Sequence, residues 1–331
     1  MSRRAVLIGG TGQIGRVAAR ALAQDGWDVV AISRAGTLPD GLAELGVIAA
    51  QADRADEAQL RAAVGDGADV VVDMVAYGRE QAEQLNGLPA GSLVVISTGS
   101  VYVDDEGRAL DGVSELPHFP VPVTEKQPTV EPGDAENYSR GKVALEQELL
   151  VGPLPATLLR AGAIYGPGAK MPRELYFVAR ARDGRRRVAL AWQGASRFHT
   201  VSARNIAELI RLVAASPGDR VLNAGDPDPP TTLEICRAIG AALGHEFEPV
   251  LLPADEYDNP WGLPPDHPCV LDMTAAEREL GYRPVTTYPE AVGETCEWLS
   301  GELERGRDWK GTYLEATLDY AAEDAAIASL G

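Results

Sequence analysis

Short apolar runs alternate with helix-spaced stripes through the first half of the chain. Residues 5–8 form a continuous apolar run, as a strand buried on both faces does. Ile14, Val17, Ala18, Ala21 and Leu22 then recur at helical spacing. The alternation continues. Residues 28–33, a weaker run over 46–53, and residues 69–75, 93–98 and 156–161 predict further strands. Alanine-rich stretches over 56–64 and 78–88 predict helices between them, and 134–150 predicts a helix before the sixth strand. Repeated strand–helix units imply an α/β fold, a doubly wound parallel sheet of Rossmann type with helices on both faces. In such a sheet ligands sit at the carboxyl ends of the strands.

The second half changes character. Helical patterns cover 171–183, 203–215, 231–243 (closed by Gly244), 275–280 and 289–299, and short strands are expected at 197–201 and 221–223. Residues 103–133 and 252–268 are rich in proline and read as loops. The first of these leaves the sheet directly after the fifth strand, so it is expected to border the pocket. The expected division is a dinucleotide-binding domain over 1–165 plus 200–225 and a smaller C-terminal substrate-binding lobe over 166–199 and 226–300. A helical tail over 301–331 completes it. Leu314, Leu318, Ala322 and Ala325 fall on one stripe of that tail, fit to lie on the body or on the partner subunit of a homodimer.

Composition narrows the partners. A net charge of −19 over 331 residues repels nucleic acid and anionic membranes. No apolar run is long enough to span a membrane, and the chain enters its first strand too early to leave room for a signal peptide. Cys236, Cys269 and Cys296 are odd in number and far apart, which suits buried thiols in a reduced, cytoplasmic protein. With His118, His199, His245 and His267 they form no metal-binding spacing, so no metal is expected.

The chemistry begins after the first strand. Gly9, Gly10, Gly12 and Gly15 come directly after it and open the first helix. Strand, glycine turn and helix N-terminus together cradle a pyrophosphate: backbone N–H groups and the helix dipole face the anion. The second strand ends in Ser33-Arg34, with no carboxylate before Asp40. A hydroxyl and a guanidinium suit a 2′-phosphate, so NADP is the expected cofactor and NAD the alternative.

Further along, Tyr138-Ser-Arg-Gly-Lys142 places a phenol and an amine one helical turn apart. With the glycine loop upstream, the chain resembles the extended, epimerase/dehydratase-like branch of the short-chain dehydrogenase/reductase superfamily. The resemblance rests on Gly9-Gly-Thr-Gly-Gln-Ile-Gly15, Asp53, Thr98-Gly-Ser-Val-Tyr102, the Tyr138/Lys142 pair, the segment from Leu159 to Gly168, and Glu279-Leu-Gly-Tyr-Arg-Pro284. It implies that Tyr138 is the acid/base, that Lys142 lowers its pKa and holds the nicotinamide ribose, and that Thr98 orients the substrate oxygen. It implies a cofactor site of Gly9, Thr11, Gly12, Gln13, Ile14, Gly15, Ser33, Arg34, Asp53, Met74 and Val75, with Tyr138 and Lys142. Asp53 is the acid expected near the adenine amino group.

Two departures bear on substrate. Ala163 stands where sugar-nucleotide enzymes of this branch carry a diphosphate-binding asparagine, and Gly99-Ser100 stands where the 4,6-dehydratases carry Asp-Glu. A small-molecule substrate less anionic than a nucleotide sugar is expected. The expected activity is NAD(P)-dependent hydride transfer at a secondary hydroxyl or keto group. A sugar-nucleotide epimerase with bound NAD, and a non-catalytic nucleotide- or RNA-associated protein of the same fold, are the alternatives. Arg185, Arg186 and Arg187 read either as an anion site or as a solvated helix end.

Overall fold

A computed structural model describes residues 3–111, 115–253, 261, 263–309 and 314–329. Its centre is a seven-stranded parallel sheet in the order β10-β6-β5-β4-β1-β2-β3. These strands are β1 (Arg4–Ile8), β2 (Asp28–Ser33), β3 (Ile48–Gln51), β4 (Val70–Asp73), β5 (Leu93–Thr98), β6 (Ala156–Ala161) and β10 (Arg220–Ala224). The sequence-predicted strands lie within or overlap them. Neighbouring residues of β1 serve opposite faces. Ala5 and Leu7 join one core, with α1 (Gln13–Gln24) and α6 (Ala203–Ala215). Val6 and Ile8 join the other, with α2 (Glu57–Val64), α3 (Arg79–Asn86) and α4 (Tyr138–Leu150). Burial on both faces is why the strands read as unbroken apolar runs.

A second core fills the lobe. It packs α5 (Leu175–Arg182), α7 (Thr232–Leu243) and α9 (Tyr288–Glu304) around Tyr176, Phe177, Ile239 and Val292. Two short parallel pairs frame it. One is β7 (Ala163–Tyr165) with β9 (Thr200–Ser202), the other β8 (Arg187–Leu190) with β11 (Glu248–Leu251). Helix α8 (Thr274–Leu280) packs on α6 and β10, so Ala276 and Tyr282 join the core of the main sheet. The loop expected over 252–268 is described only in part: residues 254–260 and 262 lie outside the described residues.

Two sequence expectations are corrected by the structure, the second in part. The described part of the 103–133 insertion does not border the cleft. Phe119 and Val123 pack instead behind it, against Val101, Tyr102, Cys269 and Leu271. In the tail, Leu314 is fully buried in the lobe core and Leu318 packs against it, but Ala322 and Ala325 are exposed, and the described helix is α10 (Tyr320–Ala328). Its anchor is Ile327 with the fully buried Glu323, which takes Arg180, the Tyr176 hydroxyl and the Ala189 N–H. A buried ion pair, not an apolar stripe, holds this helix down. The arginine cluster stands at the surface, as a solvated helix end does, with Arg186 and Arg187 exposed. Arg185 pairs with Glu323 and Asp324, and Arg186 with Glu246 and Glu248.

Cys236, Cys269 and Cys296 are free and buried, and burial pushes each thiol up to about 12. Among the described residues no helix is long and apolar enough to cross a membrane.

Candidate active site

A cleft of about 470 Å³ runs along the carboxyl ends of the strands, from the glycine loop to the lobe. Gly9, Gly12, Gln13, Ile14 and Gly15 line one end, and Met74 and Val75 line the floor beside them. Thr98, Tyr138 and Lys142 line the middle. The lobe closes the far side with Met171, Arg173, Phe198, Cys269 and Leu271. The cleft thus opens at the gap between β1 and β4, where the order of strands reverses.

Two glycines show why this end suits a dinucleotide. A Cβ on Gly15 would lie 2.2 Å from the Gly9 carbonyl oxygen, so only glycine lets α1 start this close to β1. A Cβ on Gly12 would meet only the Gly9 carbonyl, at 3.3 Å, and Gly12 is exposed. Packing does not require glycine at position 12; an open backbone does. Helix α1 has no side-chain cap and no acid in its first turn, so its N-terminal donors remain for a ligand. The residues present therefore fit a bound pyrophosphate.

The other expected cofactor residues stand outside the lining of this cleft. Thr11 is half-buried in the loop. The Ser33 hydroxyl accepts from the Gly36 N–H, 3.1 Å away. Arg34 is exposed, and its carbonyl accepts from Gln51. Asp53 is exposed and caps the Ala55 N–H at 3.0 Å. Ser33 ends β2, Arg34 follows it and Asp53 follows β3, so these three lie on the sheet's β2–β3 side, away from the Tyr138 end.

At the centre, α4 begins at Tyr138 because Asn137 caps it, accepting from the Arg140 N–H. Tyr138 and Lys142 then share the face turned to the cleft. The Tyr138 ring meets Tyr77 edge-on at 5.6 Å, and Thr98 lines the cleft with it. Thr98 is fixed in turn by the Ser100 N–H and hydroxyl, each at 3.2 Å. Lys142 is 4% exposed and donates to the carbonyls of Ala76 (2.6 Å) and Ile96 (2.8 Å). Burial drives its pKa down to about 8, against the pull of Asp73 and Glu146. Tyr138 is 42% exposed, yet desolvation of its hydroxyl in the cleft holds the phenol above its usual value of 10, with Thr98 pulling the other way. The Lys142 ammonium is anchored to backbone carbonyls, 5.8 Å from the Tyr138 ring centroid.

Sequence reasoning missed the residues beneath this set. Asp73 ends β4 fully buried. Its carboxylate accepts from the Val75 and Ala76 N–H groups (2.7 and 2.9 Å) and pairs with Arg54 at 3.0 Å. It thereby shapes the turn whose Ala76 carbonyl holds Lys142. One helical turn beyond Lys142, Glu146 binds Arg160 at 2.6 Å and the Ser97 hydroxyl at 2.5 Å. Arg160 lies 4.8 Å over the Tyr102 ring, and the Tyr102 hydroxyl donates to Asn223. An acid inside an apolar run was the one available signal for Asp73.

His199 also lines the cleft, but both its nitrogens are committed. Nδ1 accepts from the Leu271 N–H (2.8 Å) and Nε2 donates to the Asp226 carbonyl (2.7 Å). Burial pushes its pKa down to about 4 from 6.5. A depressed pKa means the unfolded chain takes up the proton first. The stability His199 contributes is complete above about pH 6.5 and lost as pH falls through about 4, up to about 3 kcal/mol. Urea titrations at about pH 7 and about pH 4.5 should show that loss in the wild type and a smaller one in His199→Gln. Equal losses in both would remove His199 as the acid-sensitive group.

The NmrA-like family model matches residues 1–88, which hold strands β1 to β4. UDP-N-acetylglucosamine 4-epimerase from Bacillus cereus superposes with a TM-score of 0.68 at 18% identity, covering 90% of this chain and 99% of that one. UDP-glucose 4-epimerase from Thermus thermophilus, solved with NAD, gives 0.63 at 22% identity, covering 90% and 99%. dTDP-glucose 4,6-dehydratase from Bacillus anthracis, also solved with NAD, gives 0.66 at 17%, covering 92% and 98%. The chain has the fold of these solved epimerases and of the dehydratase. The agreement covers the lobe as well as the sheet. A search of curated proteins finds no match.

Proposed function

We propose that this protein of the short-chain dehydrogenase/reductase fold is an NAD(P)-dependent oxidoreductase. It transfers hydride at a secondary hydroxyl or keto group of a small molecule in the cytoplasm. The observation that carries the reading is one cleft holding the open glycine loop together with Thr98, Tyr138 and Lys142. A nicotinamide, when bound, supplies the hydride acceptor or donor. The chain supplies position and the proton. Thr98 and Tyr138, lining the same cleft, offer two hydroxyls to one substrate oxygen. In oxidation Tyr138 accepts the hydroxyl proton as hydride leaves the carbon; in reduction it returns that proton to the carbonyl oxygen. Lys142 uses two donors on the Ala76 and Ile96 carbonyls and keeps its third for a ribose hydroxyl. Consumption of reduced nicotinamide with a carbonyl substrate, followed by absorbance, tests the reading. Epimerisation without net cofactor turnover would replace it with the sugar-nucleotide epimerase alternative, which the solved neighbours favour and Ala163 disfavours.

NADP is the cofactor this reading prefers. The second strand ends in an exposed Arg34 with no acid before Asp40. Arg34→Ala should therefore weaken NADPH at least ~10-fold and leave NADH nearly unchanged, since a charge-assisted hydrogen bond is worth about 1.5–3 kcal/mol. Equal wild-type affinity for the two cofactors, measured by fluorescence titration, would sink the preference.

A further inference from the structure

The cleft offers a substrate a broad apolar surface and few polar partners. Among the described residues nine large apolar side chains are exposed, and three of them, Tyr77, Tyr138 and Met171, line this one cleft. Exposed apolar side chains gathered at a concave site mark a ligand surface. Phe198, Cys269 and Leu271 extend it with lining that is half-buried or buried. These three are held from behind. One backbone bridge joins Phe198 to Cys269, and another joins Leu271 to Val123 of the 103–133 insertion. Val101, Tyr102 and Phe119 pack against them there. The insertion thus stays out of the cleft and fixes its apolar wall.

The polar side chains of the same lining are mostly committed within the protein. His199 uses both ring nitrogens, Ser97 is bonded to Glu146, and Lys142 donates to two backbone carbonyls. The Arg173 guanidinium lies 5.3 Å over the Phe198 ring and pulls on the buried Glu174 carboxyl, so its charge is engaged within the wall. Lys170 is exposed. No described lining residue is Asp or Glu, so the cleft presents no carboxylate to accept from sugar hydroxyls. The hydroxyls of Thr98, Ser100 and Tyr138 remain for a substrate oxygen.

We infer that the substrate is an uncharged ketone or secondary alcohol with an apolar body, its reacting oxygen being its main polar group. That oxygen meets Thr98 and Tyr138, and the body lies on Phe198, Leu271 and Met171. The inference rests on the reading of Tyr138 as proton carrier. An apolar body releases water from itself and from this wall. A hydroxylated or charged body gives up its hydration to side chains that cannot replace it, which weakens binding. The same cleft also receives the dinucleotide, which keeps the substrate compact.

Three methyl ketones with different groups on the same two-carbon arm test this: 4-phenyl-2-butanone, 4-hydroxy-2-butanone and levulinate. Affinity is read by calorimetry on the protein loaded with oxidised nicotinamide cofactor, which cannot reduce a ketone. Turnover is read by absorbance with the reduced cofactor. The phenyl ketone should bind ~10–100-fold tighter than either of the others, the range that burial of one aromatic ring supplies, and have the highest kcat/KM. Leu271→Asn, close to leucine in volume, should cut that preference ~10-fold. Met171→Gln should cut it ~3-fold and, at an exposed position, serves if Leu271→Asn fails to fold. Equal affinity for the three ketones overturns the inference. So does a preference for levulinate, or a preference for the phenyl ketone that the folded variants leave intact. The two readings fail separately. Tight, variant-sensitive binding of the phenyl ketone without turnover keeps the apolar site and removes the oxidoreductase reading. Turnover of all three ketones at equal kcat/KM keeps the oxidoreductase and removes the apolar substrate.

Discussion

Tyr138→Phe is expected to cut turnover by ~10²–10⁴-fold while leaving fold and cofactor affinity in place, the range that general acid–base catalysis supplies. The substitution removes one hydroxyl. Helix α4 keeps its start, because the cap is Asn137 and not Tyr138. The ring keeps its edge contact with Tyr77, and Thr98 keeps both bonds to Ser100. The lost group is the one that meets the substrate oxygen. With the Tyr138 pKa held above 10, the wild type should oxidise faster as pH rises toward it, when more phenolate is present, while reduction stays flat and falls only as pH approaches that pKa. Both pH dependences should flatten in the Phe variant. Steady-state kcat in each direction, with cofactor affinity by fluorescence, reads this directly. A variant within a few-fold of wild type would show that another group carries the proton.

Much of this site was legible in the sequence because its parts lie just beyond strands that are buried on both faces. Such strands announce themselves as apolar runs, and their carboxyl ends place the turns and helices attached to them along one edge of the sheet. That is why Gly9–Gly15, Thr98 and the Tyr138/Lys142 pair were expected together and do line one cleft. The short strands β7, β8 and β11 have three or four residues and no period of their own, so pattern alone could not find them. The tail deceived for a different reason. Its stripe found the buried Leu314 and the packed Leu318, but beyond them the fold buries a carboxylate, Glu323, opposite Arg180, and leaves Ala322 and Ala325 exposed. Pair formation between distant residues leaves no local pattern. The same holds for Asp73 with Arg54, and for the insertion, whose contacts run behind the cleft wall and not along it.

Glu146→Ala is expected to destabilise the protein by ~3–5 kcal/mol, because it strands a guanidinium that the fold has already taken out of water. Arg160 and Glu146 side chains are 8% and 3% exposed, joined by three contacts of 2.6 to 3.3 Å. Arg160 Nη1 has no partner of its own, so the remaining charge would have only the Tyr102 ring to face. Removing both charges should be far milder: Glu146→Leu with Arg160→Met fills the volume with apolar atoms and leaves only Ser97 to repair. Urea midpoints of the single and double variants, combined as a cycle, measure the coupling. A single-variant loss under about 1 kcal/mol would mean that the pair is solvated. The pair also reaches the chemistry. Glu146 favours the charged form of Lys142, as Asp73 does, while Arg54 and burial oppose it. Glu146→Gln keeps the shape and deletes the charge. It should shift the Lys142 titration below its present value of about 8, seen as an earlier alkaline loss of cofactor affinity. An unmoved affinity profile beside a lost urea midpoint would confine Glu146 to holding β6 against α4.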